Sequence, residues 1–522
     1  MKKKAALALA AAMLLAVTQL AGCGGSGGSD KKAADSKGAS AKQVETLKVG
    51  ISAWPKNLDP VVKMGKTSTP IITQIFDTLL YIDNENKLTS YICESWKKID
   101  DTTTEYKLKK GITFQNGDPL TAKDVKFSYE RVLNDKSGYV DPNVRAVIGT
   151  IAGVEAVDDL TVRIKTKRID PIIFNRVAAR LGVYIVPEGY YNKVGKEKFG
   201  TQPVGTGPYK VTGITPEKLQ LAYYDKYYGK KPVASKIEYR FIKEDTAIVT
   251  ALTNGEIDIV PSYLSISAAD MLKNVKNVKV MNLPSATSHL LRFNTNNPVT
   301  NDKKLRQALS LAIDRKMLAD TLWKGYASVP NGYNYPEFGQ YYIKDYKTYE
   351  YNPEKAKQLV KESGYKGETV SYQLIPGYYP LATEVGESIV DMWKKIGVNA
   401  KVENVDAIKP ATIKNVANWS NGLRYSDPLG GLWVLWGEGT AIQKAAWKAP
   451  ARFNELGHQL EVEPDVTKRN AVYKEMLQIW DEEVPGTILF CPNEIGAVRE
   501  GLEWSYKPGL SINFREGYLK TK

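Results

Sequence analysis

The stretch GITFQNGDPLTAKDV (Gly111–Val125) decides the class of fold. Before it, Tyr106 and Leu108 alternate as a strand. The chain then passes through Gly111 to Ile112 and Phe114, so Tyr106 to Phe114 reads as a hairpin, and Asn116-Gly117 is a hairpin-type dipeptide because both residues tolerate left-handed backbone. Thr121 to Asp124 forms a capping box with Asp in place of Glu, and Val125, Tyr129 and Val132 continue from it at helical spacing. Strand, turn and capped helix in one run predict a mixed α/β chain. The same grammar extends outward: Leu47, Val49 and Ile51 alternate as a strand, as do Leu160, Val162 and Ile164, then Leu219 and Leu221, then Ile237, Tyr239 and Phe241. Leu305, Leu309 and Ala312 keep helical spacing, and Asp314 can cap a helix that ends near Gly325.

The chain has 522 residues, 43% of them hydrophobic and 25% charged, enough for several domains with real cores. Three cysteines exclude a disulfide-built scaffold, and two histidines, His289 and His458, argue against a histidine-rich metal centre. The net charge of +14 comes from lysines scattered along the sequence, without a basic arm, so no nucleic-acid partner is expected.

The amino terminus carries a sharper signal. Lys2-Lys3-Lys4 precedes an apolar, alanine-rich run from Ala5 to Ala21, the pattern of a secretory signal over residues 1–22. The run closes Leu20-Ala21-Gly22-Cys23, which resembles the lipobox of bacterial lipoproteins and implies a lipidated Cys23. From Gly24 to about Gln43 only small and polar residues occur, so residues 23–45 are read as anchor and flexible tether. The expected location is extracytoplasmic, in a periplasm or on a cell surface, with the membrane touched only through the lipid.

Further matches fall in a familiar order. Ser90 to Trp96 (SYICESW), Gly117 to Val125, Pro203 to Tyr209 (PVGTGPY), Gly255 to Asp258 (GEID), Arg306 to Arg315 (RQALSLAIDR), Asn352 to Ala356 (NPEKA) and Trp393 to Val398 (WKKIGV) together resemble family 5 of the extracytoplasmic solute-binding proteins, the peptide/nickel/opine-type receptors of ABC importers. The resemblance implies a two-lobed periplasmic-binding-protein-like fold (class II, large three-domain type) with a hinge and an interlobe cleft. Its implied boundaries are 46–80, 203–292 and 483–522 for domain I, 81–202 for domain II and 293–482 for domain III. It also implies a monomer that takes a small-molecule ligand and hands it to a permease with ATPase subunits. No cofactor and no resident metal are called for, and Cys93 and Cys491 fall in different implied domains, which favours two buried thiols.

Chemical motifs are sparse. There is no H-E-x-x-H and no G-x-x-x-x-G-K-[ST]; the lookalike from Gly189 to Lys196 has one residue too many. The expected role is therefore binding rather than catalysis, with a surface-anchored hydrolase on a similar scaffold, or a nickel or metallophore receptor, as alternatives. By resemblance, the segment Trp419 to Trp436 (WSNGLRYSDPLGGLWVLW) lines the cleft. Peptide-binding members place an acid four residues before the proline matched by Pro428; here that position is Arg424, whose fork suits a carboxylate or phosphate instead. Dipeptide-binding members place an arginine where this chain has Thr383 and Glu384. Either Arg424 clamps an anionic ligand, or it pairs internally with Glu384 or Asp427. The remaining candidates are Tyr425 and Asp427 beside it, Trp433 or Trp436 as an aromatic wall, Trp54 from the first segment and His289 near the expected hinge.

Overall fold

The computed structural model describes residues 43–53, 55, 57–62, 68–262, 264–348, 350–505 and 512–522. The leader, Cys23, most of the tether and Trp54 lie outside the described residues. Three larger sheets organise the rest. A seven-stranded sheet runs Val278–Leu283, Glu494–Arg499, Ile259–Val260, Val44–Ile51, Ala234–Phe241, Lys218–Tyr223, Tyr209–Ile214 in spatial order. A four-stranded antiparallel sheet is built from Cys93–Lys98, Thr103–Leu108, Thr161–Thr166 and Ile151–Ala156. A six-stranded sheet runs Ala327–Ser328, Gly486–Pro492, Ser288–Phe293, Val416–Asn421, Val370–Leu374, Ala400–Asn404.

The expected strands at 47–51, 219–221 and 237–241 form, and the one expected at 160–164 forms as Thr161–Thr166. Alternating side chains such as Leu47, Val49, Val162, Ile164, Leu219, Leu221, Ile237 and Tyr239 are buried, while Leu160 precedes its strand and Phe241 is exposed at the end of its own. The Thr121 box caps Ala122–Leu133 as expected, with Asp124 Oδ2 accepting from the Thr121 N–H at 2.9 Å, and Val125, Tyr129 and Val132 are buried beneath it. One expectation needs correction: Tyr106 does not pair with the Ile112–Phe114 segment. Thr103–Leu108 is instead a central strand between Cys93–Lys98 and Thr161–Thr166, and Asn116-Gly117 closes only a tight local turn, with φ of 94° at Gly117. Long-range pairing that buries both neighbours outcompetes the local hairpin.

The chain passes between the seven-stranded and six-stranded sheets twice. The first crossing lies between Val278–Leu283 and Ser288–Phe293, the second at Asn493 between Gly486–Pro492 and Glu494–Arg499. The crossings are bridged: Ser285 Oγ donates to the Pro492 carbonyl at 2.7 Å, and Asn493 Nδ2 to Asn282 Oδ1 at 2.8 Å. Two adjacent short links between separately packed sheets make a hinge. The strands Ser288–Phe293 and Gly486–Pro492 belong by pairing to the six-stranded sheet, although the implied boundaries put most of the first and all of the second in domain I. Cys93 and Cys491 are free and buried; burial pushes the Cys93 thiol up to about 12 and raises that of Cys491.

Candidate ligand-binding site

In the six-stranded sheet, Val370–Leu374, Ala400–Asn404 and Val416–Asn421 run parallel, so the loops after them emerge at one edge. Ligands of open α/β sheets gather outside such carboxyl ends. Three features sit there: Tyr378, the first turn of Ala382–Lys395 entered through Leu381 at φ 62°, and the loop 422–428.

This edge meets the unit built on the four-stranded sheet. The Arg176 guanidinium lies 4.6 Å over the Tyr425 ring, Asn175 Nδ2 donates to the Ser426 carbonyl at 3.4 Å, and Arg168 Nη2 stands 2.6 Å from Glu461 Oε1. Arg176 is itself held by Asp170 at 2.8 Å. The two lobes therefore touch along a seam centred on Tyr425, a closed arrangement.

Arg424 sits half-buried at this seam. Among the described residues its guanidinium has neither a hydrogen bond nor an ion pair. Burial lowers its pKa, against smaller opposing pulls from Tyr425 and from Asp141 of the facing lobe. The internal-pair alternative fails on geometry. Asp427 is fully buried and belongs to Arg469, which grips both carboxylate oxygens at 2.9 Å, while Glu384 is exposed on its helix.

Several of the candidate ligand contacts are buried and engaged within the protein. Asp427 is a structural anion that also accepts the Leu429 N–H at 2.9 Å and so shapes the turn. Trp436 is core: its Nε1 donates to Tyr333 Oη at 2.7 Å, with Trp447 and Trp480 edge-on to it. Trp433 packs under Gly457 and donates to Glu461 Oε1 at 3.0 Å, so it holds the carboxylate that meets Arg168 at the seam. His289 is buried, stacked on Tyr379 with centroids 3.7 Å apart and edge-on to Trp323. Tyr425 is engaged by Arg176. His458 is exposed between Glu438 and Glu461, and among the described residues no cluster of three metal-ligating side chains occurs.

The residues that sequence reasoning missed are Asp141, Arg168 and Arg176 from the facing lobe, and Arg292. The first three come from distant segments with no local signature. Arg292 had one: it interrupts Ser288–Phe293 (SHLLRF), a strand buried at every position.

Residues 87–443 match the model of the bacterial extracellular solute-binding proteins, family 5 middle region. The chain belongs to that family. Among its relatives, the oligopeptide-binding protein AppA of Bacillus subtilis is 25% identical over 97% of both chains. The glutathione-binding protein GsiB of Escherichia coli is 28% identical over 70% of this chain and 71% of its own. The ABC transporter substrate-binding protein CtaP of Listeria monocytogenes shares the fold, with a TM-score of 0.81 at 23% identity over 92% of this chain and all of the other (100%). The solute-binding protein thus has the two-lobed α/β architecture that its sequence predicts.

Proposed function

We propose that this solute-binding protein is the capture subunit of an ABC importer, a monomer held at the outer face of the membrane through a lipidated Cys23. It closes its lobes on a small solute bearing an anionic group, such as an acidic or modified peptide or an opine-like conjugate. It then passes the solute unaltered to a permease with its ATPase subunits. Family membership supports capture and delivery. The anionic preference rests on one observation: Arg424 stands at the seam with its fork unclaimed by any described residue, at the position where acid-bearing relatives would hold an ammonium. A guanidinium without a protein carboxylate, half-withdrawn from water, favours a ligand that brings its own oxyanion. Glutathione, bound by the GsiB relative, is such a molecule.

The test is a thermal-shift panel of glutathione, opines, acidic tripeptides and sugar phosphates on ligand-stripped protein. A true ligand at a hundredfold excess over its Kd stabilises by about 2.7 kcal/mol. The Arg424→Ala variant should bind that ligand at least about tenfold more weakly, the loss of one charge-assisted pair. Unchanged affinity rejects the anion clamp.

A further inference from the structure

Among the described residues six arginines are buried: Arg176, Arg292, Arg306, Arg315, Arg469 and Arg515. Five have acceptors. Arg176 is held by Asp170 at 2.8 Å, Arg469 by both oxygens of Asp427, and Arg515 by Asp77 at 2.6 Å. Arg306 donates to the carbonyls of Glu483, Thr300 and Asn301, and Arg315 to those of Ile488 and Ser310 and to Thr487 Oγ1. Arg292 is the exception. It is 5% exposed, makes no ion pair among the described residues, and its Nε and Nη2 are buried without a hydrogen bond. Burial pulls its pKa down to about 10, with only the hydroxyls of Tyr378 and Tyr333 pulling weakly the other way.

The geometry around it is specific. The guanidinium lies 3.9 Å over the ring of Trp419, its diagonal neighbour across the strand pair, and Trp419 in turn faces Tyr378, with centroids 6.0 Å apart. Tyr378 is exposed at the carboxyl edge of the sheet and Trp419 is half-buried, so the stack leads from the open edge inward to the charge. A guanidinium stacked face-on presents only its edges for hydrogen bonding. Nε and Nη2 form one such edge, the side-on fork whose two parallel N–H bonds match the oxygens of a carboxylate. An unpaired buried charge is among the costliest features a fold can keep.

We propose that Arg292 is a second, deep anion receptor of the site, taking a carboxylate of the solute on its Nε/Nη2 edge while Trp419 and Tyr378 cover the adjoining apolar part. The inference rests on the solute-capture reading but not on Arg424. It makes the solute class a conjugate in which a carboxylate follows a flat or apolar group.

The probe is acetate, titrated into ligand-stripped full chain to about 100 mM with chloride matching the ionic strength, followed by tryptophan fluorescence and melting temperature, and repeated with inorganic phosphate. Wild type should respond saturably to acetate. Arg292→Met should raise the half-saturation concentration at least about tenfold, Arg292→Lys should recover only part of it, and the surface control Arg452→Ala should retain the response. Ligand-free R292M should unfold at a urea concentration no lower than wild type, because an uncompensated charge has been replaced by an apolar chain of similar length. An acetate response that is absent, or that survives R292M, overturns the proposal. So does a response to phosphate in place of acetate. A response lost in R424A but kept in R292M overturns it while leaving the capture reading intact.

Discussion

Replacing Asp427 by Asn should be the most damaging single change at the seam. Both members of the Asp427–Arg469 pair are fully buried, and the carboxylate receives two N–H bonds at 2.9 Å from Arg469 and a third at 2.9 Å from Leu429. Asparagine keeps one acceptor oxygen but turns an amide donor toward the guanidinium, leaving that charge uncompensated. Removing one partner of such a pair costs about 3–5 kcal/mol. With a urea slope of about 3 kcal/mol/M for the affected lobe, the unfolding midpoint should fall by about 1–1.7 M. The assay is urea unfolding monitored by tryptophan fluorescence, with D427L/R469M as the control: an apolar pair should recover most of the loss. A D427N midpoint within about 0.3 M of wild type, or a double variant no better than D427N, would show that the pair does not hold the loop.

Two further outcomes follow from the seam's support. A Cβ on Gly457 would lie 2.0 Å from Trp433 Cζ3, so Gly457→Ala should destabilise by about 1–3 kcal/mol through overpacking; urea unfolding indistinguishable from wild type would contradict the packing of Trp433. Hydrogen bonds donated to Glu438 foremost, then to Glu461, raise the His458 pKa above its usual 6.5. Its contribution is therefore complete below 6.5 and lost as pH rises through the shifted value. His458→Gln should flatten the melting-temperature profile across that window, and identical profiles would remove His458 from the seam's electrostatics.

What the sequence disclosed divides along local and non-local physics. The Thr121–Asp124 cap and the alternating strands were legible because capping and period-two burial act within a few residues. The partners of Tyr106 were not, since the two strands that take its edges, at Trp96 and Val162, carry no local signal of that pairing. Arg424 could be singled out because its charge is inverted inside a recognisable motif. Asp427 was assigned to the cleft because its partner, Arg469, lies 42 residues on, with nothing nearby to announce it. The tryptophans looked like a pocket wall, yet glycines at 437, 457 and 486 admit them into the core, where large aromatic rings bury most area. Arg292 shows the reverse: a charge in a fully buried strand was visible, but its meaning required knowing that no described residue accepts from its Nε or Nη2.

The central claim is that solute capture closes the two lobes along the seam of Arg168, Arg176, Tyr425 and Glu461. Pulsed electron spin resonance reads this directly, with spin labels at exposed Val157 and Val462 on opposite sides of the seam, in a chain whose Cys23 is replaced by Ser and whose other two thiols are buried. Protein carrying its copurified solute should show one narrow, short distance, and stripped protein a longer and broader one. Identical distributions in both states would contradict closure on the solute.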